Sequence, residues 1–390
     1  MLTGVAEGLS ARGHRVHVVT SRLRADDAQA ELLPEEVVNG VSVHRIWSTR
    51  FGRAALKTRL LDYLSFHWSA RRVVASLAQF GDVVVAKTDP PLLGVNLQRG
   101  LGQYTHMNWV QDVFPELAQR TGVMRCESRL YAWLLDARNR NLLSAAGNVV
   151  LGDSMLATLK RAAPHARLTV IPNWSGDLRL ESGARGSAGR SAEHDVALTV
   201  PAAGLSVMYA GNLGRVHDFD TVLDAAQLLS AAPSTAVAPI RFELVGDGAQ
   251  RASLERAVAT RNLTNVGFRD PVPESGLPDM LASADVHLVT LTPDLEGLVT
   301  PSKYYGILAV GRPVAYIGGA DADIAAEVVA EGAGIATPAG APAQLASALL
   351  ALAADAPRVR QMGERARGLF LKRYRLEHCL DSWEQLLAQI

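Results

Sequence analysis

Short apolar runs of strand length alternate with helical patterns along this chain, and the alternation occurs twice. The first series comprises Val16–Thr20, Val41–Ile46, Asp82–Ala86, Thr105–Val110, Asn148–Leu151 and Leu168–Ile171. Residues 175–202 then break the pattern with Gly183, Gly186, Gly189, several serines and mixed charges, the composition of an exposed linker. The second series comprises Leu205–Ala210, Ile240–Val245, Asn265–Phe268, Asp285–Leu291, Pro313–Ile317 and Ala333–Ala336. Strands that alternate with helices pair in parallel and are covered on both faces, so each series predicts a doubly wound α/β sheet. The 390 residues are enough for two such cores. The expected division is residues 1–174, a linker at 175–202, a second domain at 203–372 and a closing helical segment at 373–390.

Ligands of such sheets bind at the carboxyl ends of the strands. One such end stands out. After the run Asp285–Leu291 comes Glu296-Gly-Leu-Val-Thr-Pro-Ser-Lys303, leading to Gly311-Arg-Pro-Val314. Thr300 is placed to cap a short helix with Pro301 at its first position, where the missing N–H costs nothing. The amides of Ser302 and Lys303 would then face outward at a positive helix end, beside the Lys303 ammonium, which suits a phosphate. Glu296 is available to accept hydrogen bonds from hydroxyls. Phosphate and polyol recognition in one loop is what a nucleotide-sugar donor requires.

Composition narrows the partners. Net charge is zero, so bulk electrostatics select no nucleic acid. Cys126 and Cys379 are too few and too far apart for a disulfide scaffold or a zinc site, which fits a reducing cytoplasm. No apolar run reaches membrane-spanning length and no signal peptide is visible. Asp321 and Asp323 have the spacing of a metal pair, but Asp323 reads better as the N-cap of a helix at Ile324–Ala330, so no metal is expected. The segment Arg45–Arg72 is different. Arg45, Arg50, Arg53, Lys57, Arg59, Arg71 and Arg72 face Asp62 alone, with Trp47, Phe51, Tyr63, Phe66 and Trp68 interleaved. Basic residues among aromatics read equally as an interfacial membrane surface or as a solvated helix packed on the sheet. On the membrane reading, Arg50, Arg53, Lys57, Arg59 and Trp68 dock on anionic lipid.

Five segments, taken in order, resemble the family-4 retaining glycosyltransferases: Asn108-Trp-Val-Gln-Asp-Val-Phe-Pro-Glu116, Val170-Ile-Pro-Asn-Trp174, Tyr209-Ala-Gly-Asn-Leu-Gly-Arg-Val-His-Asp218, Leu244-Val-Gly-Asp-Gly248 and the Glu296–Lys303 loop. The resemblance covers nearly the whole chain and is nearest the branch that builds bacterial exopolysaccharide, colanic-acid-like and O-antigen chains. It implies the GT-B architecture of two Rossmann-like domains facing a cleft, with the last helix returning to the first domain. It implies retaining, metal-independent transfer of a hexosyl or acetamido-hexosyl group from a nucleotide-diphosphate sugar to a polyprenyl-diphosphate-linked saccharide. The enzyme would be cytoplasmic and peripheral to the inner membrane, with no cofactor beyond the co-substrate.

On this resemblance Glu296 and Asp112 are the catalytic candidates, and Arg215, Lys303, Gly211, Gly214 and Ser302 hold the donor diphosphate. Gly246, Gly248, Arg269 and Tyr304 lie at the nucleotide, and Gly297 and Leu298 form the donor-sugar loop. The chain departs from the family at several places. Asn212 and His217 stand where many members carry Arg and Lys, and Gly306 stands where the second glutamate is usual. Residues 2–12 read as a helix stopped by Gly13, whereas family members begin with a strand and a glycine loop before it. Val16–Thr20 and Asp82–Ala86 are therefore expected to lack a partner in mid-sheet. A version extended upstream is expected to be more stable and more active. These departures also support an alternative, a catalytically inactive relative acting as a scaffold or remnant. A sugar-nucleotide epimerase of related fold would need catalytic acids that are not recognisable.

Overall fold

The computed structural model describes residues 1–23, 32–49, 56–98, 102–126, 128–176, 178, 204–231 and 239–390. Arg50 and Arg53, and nearly all of the expected linker, lie outside the described residues. The first series contains α1 (Leu2–Ala11), β1 (His17–Ser21), β2 (Glu35–Val38), β3 (Val41–Ile46), α2 (Leu56–Leu77) and β4 (Val83–Lys87). It continues with α3 (Leu93–Leu97), β5 (Thr105–Trp109), α4 (Glu116–Arg120), α5 (Arg129–Ser144), β6 (Gly147–Val150), α6 (Asp153–Ala162) and β7 (Leu168–Val170). The second series runs β8 (Leu205–Ala210), α7 (Asp220–Ala231), β9 (Ile240–Val245), α8 (Arg251–Thr260), β10 (Val266–Arg269), α9 (Leu277–Ala282) and β11 (Val286–Thr290). After it come α10 (Lys303–Ala309), β12 (Val314–Gly318), α11 (Asp323–Ala330), β13 (Gly334–Pro338), α12 (Pro342–Ala353), α13 (Ala356–Leu369) and α14 (Leu376–Leu387). Two compact units result. One comprises Met1–Asn173, Gly297–Thr300 and Leu376–Ile390, the other Trp174–Glu296 and Pro301–Arg375.

In the second unit six strands pair in the order β10-β9-β8-β11-β12-β13, every pair parallel. β11 and β12 are buried at every position, as strands covered on both faces must be. Tyr209, Phe219, Val222, Phe242, Leu244 and Leu288 are among the side chains that fill one face. Strand order reverses between β8 and β11. The loops leaving those two strands therefore diverge to opposite faces and leave a crevice at their carboxyl ends.

The first unit has two separate sheets, β1-β3-β2 and β4-β5-β6-β7. β1 pairs only with β3 and β4 only with β5 among the described residues, so the two strands expected to flank a gap do not pair with each other. β2, antiparallel to β3, has no counterpart in the sequence reading. α1 stops as expected: Gly13 adopts φ +95°, its amide bonds Ser10 O at 3.0 Å, and the His14 amide bonds Leu9 O at 3.1 Å. α14 packs in this unit, with Trp383 edge-on to Trp109 at 5.3 Å and Asp381 and Glu384 on Arg12 at 2.7 and 2.6 Å.

Two capping expectations are corrected. α10 begins at Lys303 with Ser302 before it and no side-chain cap, so Thr300 does not cap it and Pro301 precedes its first turn. α11 begins at Asp323 itself, after Ala322, so Asp323 is a first-turn residue in place of the N-cap.

Candidate functional site

The β8–β11 crevice gathers several of the expected site residues. The loop after β8 is bound to the end of β11 twice: His217 Nδ1 lies 2.6 Å from Thr290 O, and the Thr292 amide bonds Val216 O at 3.0 Å. A ring nitrogen facing a carbonyl must carry the proton, which fixes the neutral tautomer of His217. Burial lowers the His217 pKa to about 4, helped by the nearby Lys303 and opposed by the Thr290 contact.

Lys303 opens α10 and sends its Nζ back beneath this loop. The ammonium position lies 3.5 Å from the centroid of the Tyr209 ring. It is buried and has no hydrogen-bond partner. Burial drives its pKa well below that of a free lysine. A buried, unpaired cation costs several kcal/mol, whereas an aromatic face returns at most about 2 kcal/mol. The balance favours an anion at this place. Gly211 makes room: it adopts φ +138°, and a Cβ there would sit 3.3 Å from Lys303 Cε and 3.5 Å from Nζ.

Glu296 follows β11 on the next turn. Its Oε1 accepts from the Tyr316 hydroxyl, midway along β12, and, at 3.3 Å, from the Gly319 amide just after that strand. Burial raises its pKa, while those two hydrogen bonds oppose the rise. The carboxyl is thereby held by one oxygen, and Oε2 is left to accept a hydroxyl. Arg215 is exposed on the β8 loop and has no ion pair among the described residues. Ser302 is exposed. Gly214 is buried, and its carbonyl accepts from Gln250 Nε2 at 2.7 Å.

The Cβ missing from Gly246 would lie 2.0 Å from Gly211 O, and that missing from Gly248 would lie 2.7 Å from the Leu213 backbone. Both glycines therefore let the loops after β8 and β9 pack against each other. Arg269 pairs with Glu243 Oε1 at 3.3 Å. Tyr304 is core: it is 1% exposed, its hydroxyl bonds Glu327 Oε2 at 2.6 Å, and its ring packs with Tyr305 and Tyr374. One face of α10 must bury apolar surface, and the helix phase places Tyr304 on that face. Gly297 and Leu298 belong to the first unit. Gly297 adopts φ +71° against Ser154 and Thr158, and Leu298 O accepts from the Val113 amide at 2.8 Å. Both residues are thus packed within that unit.

In the first unit Asp112 lies just beyond β5 and bridges Val299, and its amide lies 3.3 Å from Thr88 Oγ1. The packed chain around it raises its carboxyl pKa; Lys87 opposes this and Asp89 adds to it. Asp112, Thr88, Asn108 and Arg138 line a recess in which Arg138 Nε and Nη1 have no partner. Trp68 lies on α2, 58% exposed, with the Arg72 guanidinium 4.6 Å from its ring centroid. Leu60, Leu61 and Leu64 are exposed on the same helix, which also carries Lys57 and Arg59. No helix of the described residues is long and apolar enough to cross a membrane. Tyr209, Thr290, Tyr316 and Gly319 escaped the sequence reading. Their one signal is position at the carboxyl end of an apolar run.

Residues 1–174 match the model of a glycosyl transferase 4-like domain, and residues 204–355 match that of glycosyl transferases group 1. A probable glycosyltransferase of Pseudomonas aeruginosa, WbjE, is 29% identical over 302 residues, 74% of this chain and 72% of that protein. The putative colanic acid biosynthesis glycosyl transferase WcaI of Escherichia coli K12 is 29% identical over 187 residues, 46% of this chain and 42% of its own length. Among solved structures, Anabaena HepE in complex with UDP-glucose superposes with a TM-score of 0.67 at 16% identity, covering 100% of this chain and 95% of that one.

Proposed function

The chain belongs to the glycosyltransferases with a 4-like first domain and a group 1 second domain, of GT-B fold, and we propose that it transfers a hexosyl or acetamido-hexosyl group from a nucleotide-diphosphate sugar. The observation that carries this reading is the buried, unpartnered Lys303 amine beside Gly211 at the strand-order reversal. A diphosphate supplies the anion that this position lacks. In the reaction the bond from the anomeric carbon to the diphosphate oxygen breaks, a bond to an acceptor hydroxyl oxygen forms with retention, and the hydroxyl proton passes to the departing diphosphate. Charge develops on the leaving diphosphate, where Lys303 and the exposed Arg215 are placed to stabilise it without a metal. Glu296 orients the donor sugar through the oxygen that Tyr316 and Gly319 leave open. Asp112 contacts the acceptor hydroxyl. The UDP-glucose complex of HepE supports a nucleotide-sugar donor, and the family of WcaI supports a bacterial surface polysaccharide as the product. The acceptor in this reading is a polyprenyl-diphosphate-linked saccharide. It is reached at the cytoplasmic face of the inner membrane, with Leu60, Leu61, Leu64 and Trp68 of α2 turned to lipid.

The test is a thermal-shift screen of UDP-, GDP-, dTDP- and ADP-sugars, followed by transfer assays with the sugar that binds. At least one is expected to raise the melting temperature, and Lys303→Met is expected to abolish the rise. No response from any nucleotide sugar would overturn the reading.

A further inference from the structure

Lys303 is poorly placed to hold its charge before a donor arrives. Its Nζ is buried and meets no acceptor; its nearest surroundings are the Tyr209 ring at 3.5 Å and the backbone at Gly211. The titratable groups facing it are Tyr209 from β8 and His217 from the β8 loop. Burial keeps Tyr209 un-ionised, and His217 is neutral with its Nδ1 proton spent on Thr290 O at 2.6 Å. The acid of that loop, Asp218, accepts from the Thr221 amide and hydroxyl at 3.1 and 2.6 Å. No counter-charge among the described residues therefore holds a proton on the amine.

We propose that Lys303 rests as a neutral amine over Tyr209 and is protonated as the donor diphosphate binds, so that donor binding takes up a proton from solvent. The proposal rests on the donor-site reading above. The proton comes from solvent or buffer, adds to the amine nitrogen lone pair, and returns when the nucleoside diphosphate leaves. The ammonium thus forms only where an anion is present to receive it.

The experiment is calorimetry of UDP, GDP, dTDP and ADP at pH 8, repeated in buffers of different ionisation enthalpy. At that pH the terminal phosphate, whose pKa is about 6, is already ionised and contributes no proton of its own. Wild type is expected to take up about one proton per nucleotide bound. Its affinity is expected to fall by up to about tenfold per pH unit between pH 8 and 9. Lys303→Arg carries a charge that does not titrate, and is expected to bind with little uptake and a flat profile. His217→Gln is expected to keep the uptake. Binding without uptake in wild type would overturn the proposal, as would uptake that survives Lys303→Arg and vanishes in His217→Gln. Failure of all four nucleotides to bind would instead overturn the donor-site reading itself.

Discussion

Replacing Gly246 by alanine tests whether the β8 and β9 loops are packed as tightly as the structure has them. The new Cβ would lie 2.0 Å from Gly211 O and 2.9 Å from Gly211 C, both backbone atoms that no rotamer change can move. Neither loop is free to retreat, because the Gly211 amide bonds Val245 O at 2.9 Å and the Gly246 amide bonds Arg269 O at 3.0 Å. Gly246 also adopts φ +135°, which side-chain-bearing residues rarely take. The backbone strain costs about 1–3 kcal/mol and the overpacking a similar amount, about 1–3 kcal/mol. The sum, about 2–6 kcal/mol, is a large part of the roughly 5–15 kcal/mol that holds a domain folded. For a unit of this size each kcal/mol moves the melting temperature by about 2–4 °C. Gly340→Ala separates the two contributions, since Gly340 adopts φ +78° but a Cβ there would meet nothing within 4 Å. Thermal melts followed by circular dichroism are expected to show Gly246→Ala destabilised about twice as much as Gly340→Ala. Displacement of Gly211 from Lys303 is expected to weaken nucleoside-diphosphate binding only in the first variant. Equal melting shifts in the two variants would refute the reasoning.

Lys303→Met removes a buried, unpartnered amine, so it is expected to raise the melting temperature while weakening UDP binding by about 1.5–3 kcal/mol; loss of stability together with unchanged affinity would count against the site. His106 and His287 are buried and their pKa values are lowered to about 4 from 6.5, so the folded state binds fewer protons than the unfolded chain in that interval. Stability is therefore full above about pH 6.5 and falls as acid approaches pH 4, by about 3 kcal/mol for each histidine; acid denaturation that begins only below pH 4 would contradict this. Leu64→Ser with Trp68→Ala is expected to reduce sedimentation with anionic vesicles and to leave UDP binding unchanged, and sedimentation equal to wild type would remove α2 from the membrane reading. Transfer activity is expected to persist in excess chelator, and loss restored by magnesium or manganese would show that a metal takes part.

Much of the fold was legible in the sequence because parallel strands buried on both faces must be continuous apolar runs. Leu205–Ala210, Ile240–Val245 and Val41–Ile46 agree with the sequence reading residue for residue, and the other expected strands shift by a residue or so at their ends. β2 escaped because Glu35-Glu-Val-Val38 carries charge and stays largely exposed; its pairing with β3 holds it more than any propensity of its own. Lys303 and Glu296 were visible as polar residues on a glycine-bearing loop after an apolar run. The cap assigned to Thr300 was not realised, because a local cap signal is worth only about 1 kcal/mol and tertiary packing of α10 outweighs it.

What the sequence alone determined is the set of elements and the loop on which the polar residues ride, since both follow from local periodicity and turn chemistry. What only the tertiary structure decided is which of those residues meet. The order β10-β9-β8-β11-β12-β13 brings His217 to Thr290, Tyr209 beneath Lys303, and Tyr316 to Glu296 across a sequence separation of 20. The same packing withdraws Tyr304 into the core and closes Gly246 against Gly211. Burial and partnership are properties of neighbours distant along the chain. They govern desolvation, and burial without a hydrogen-bond partner is what lowers the pKa of the Lys303 amine.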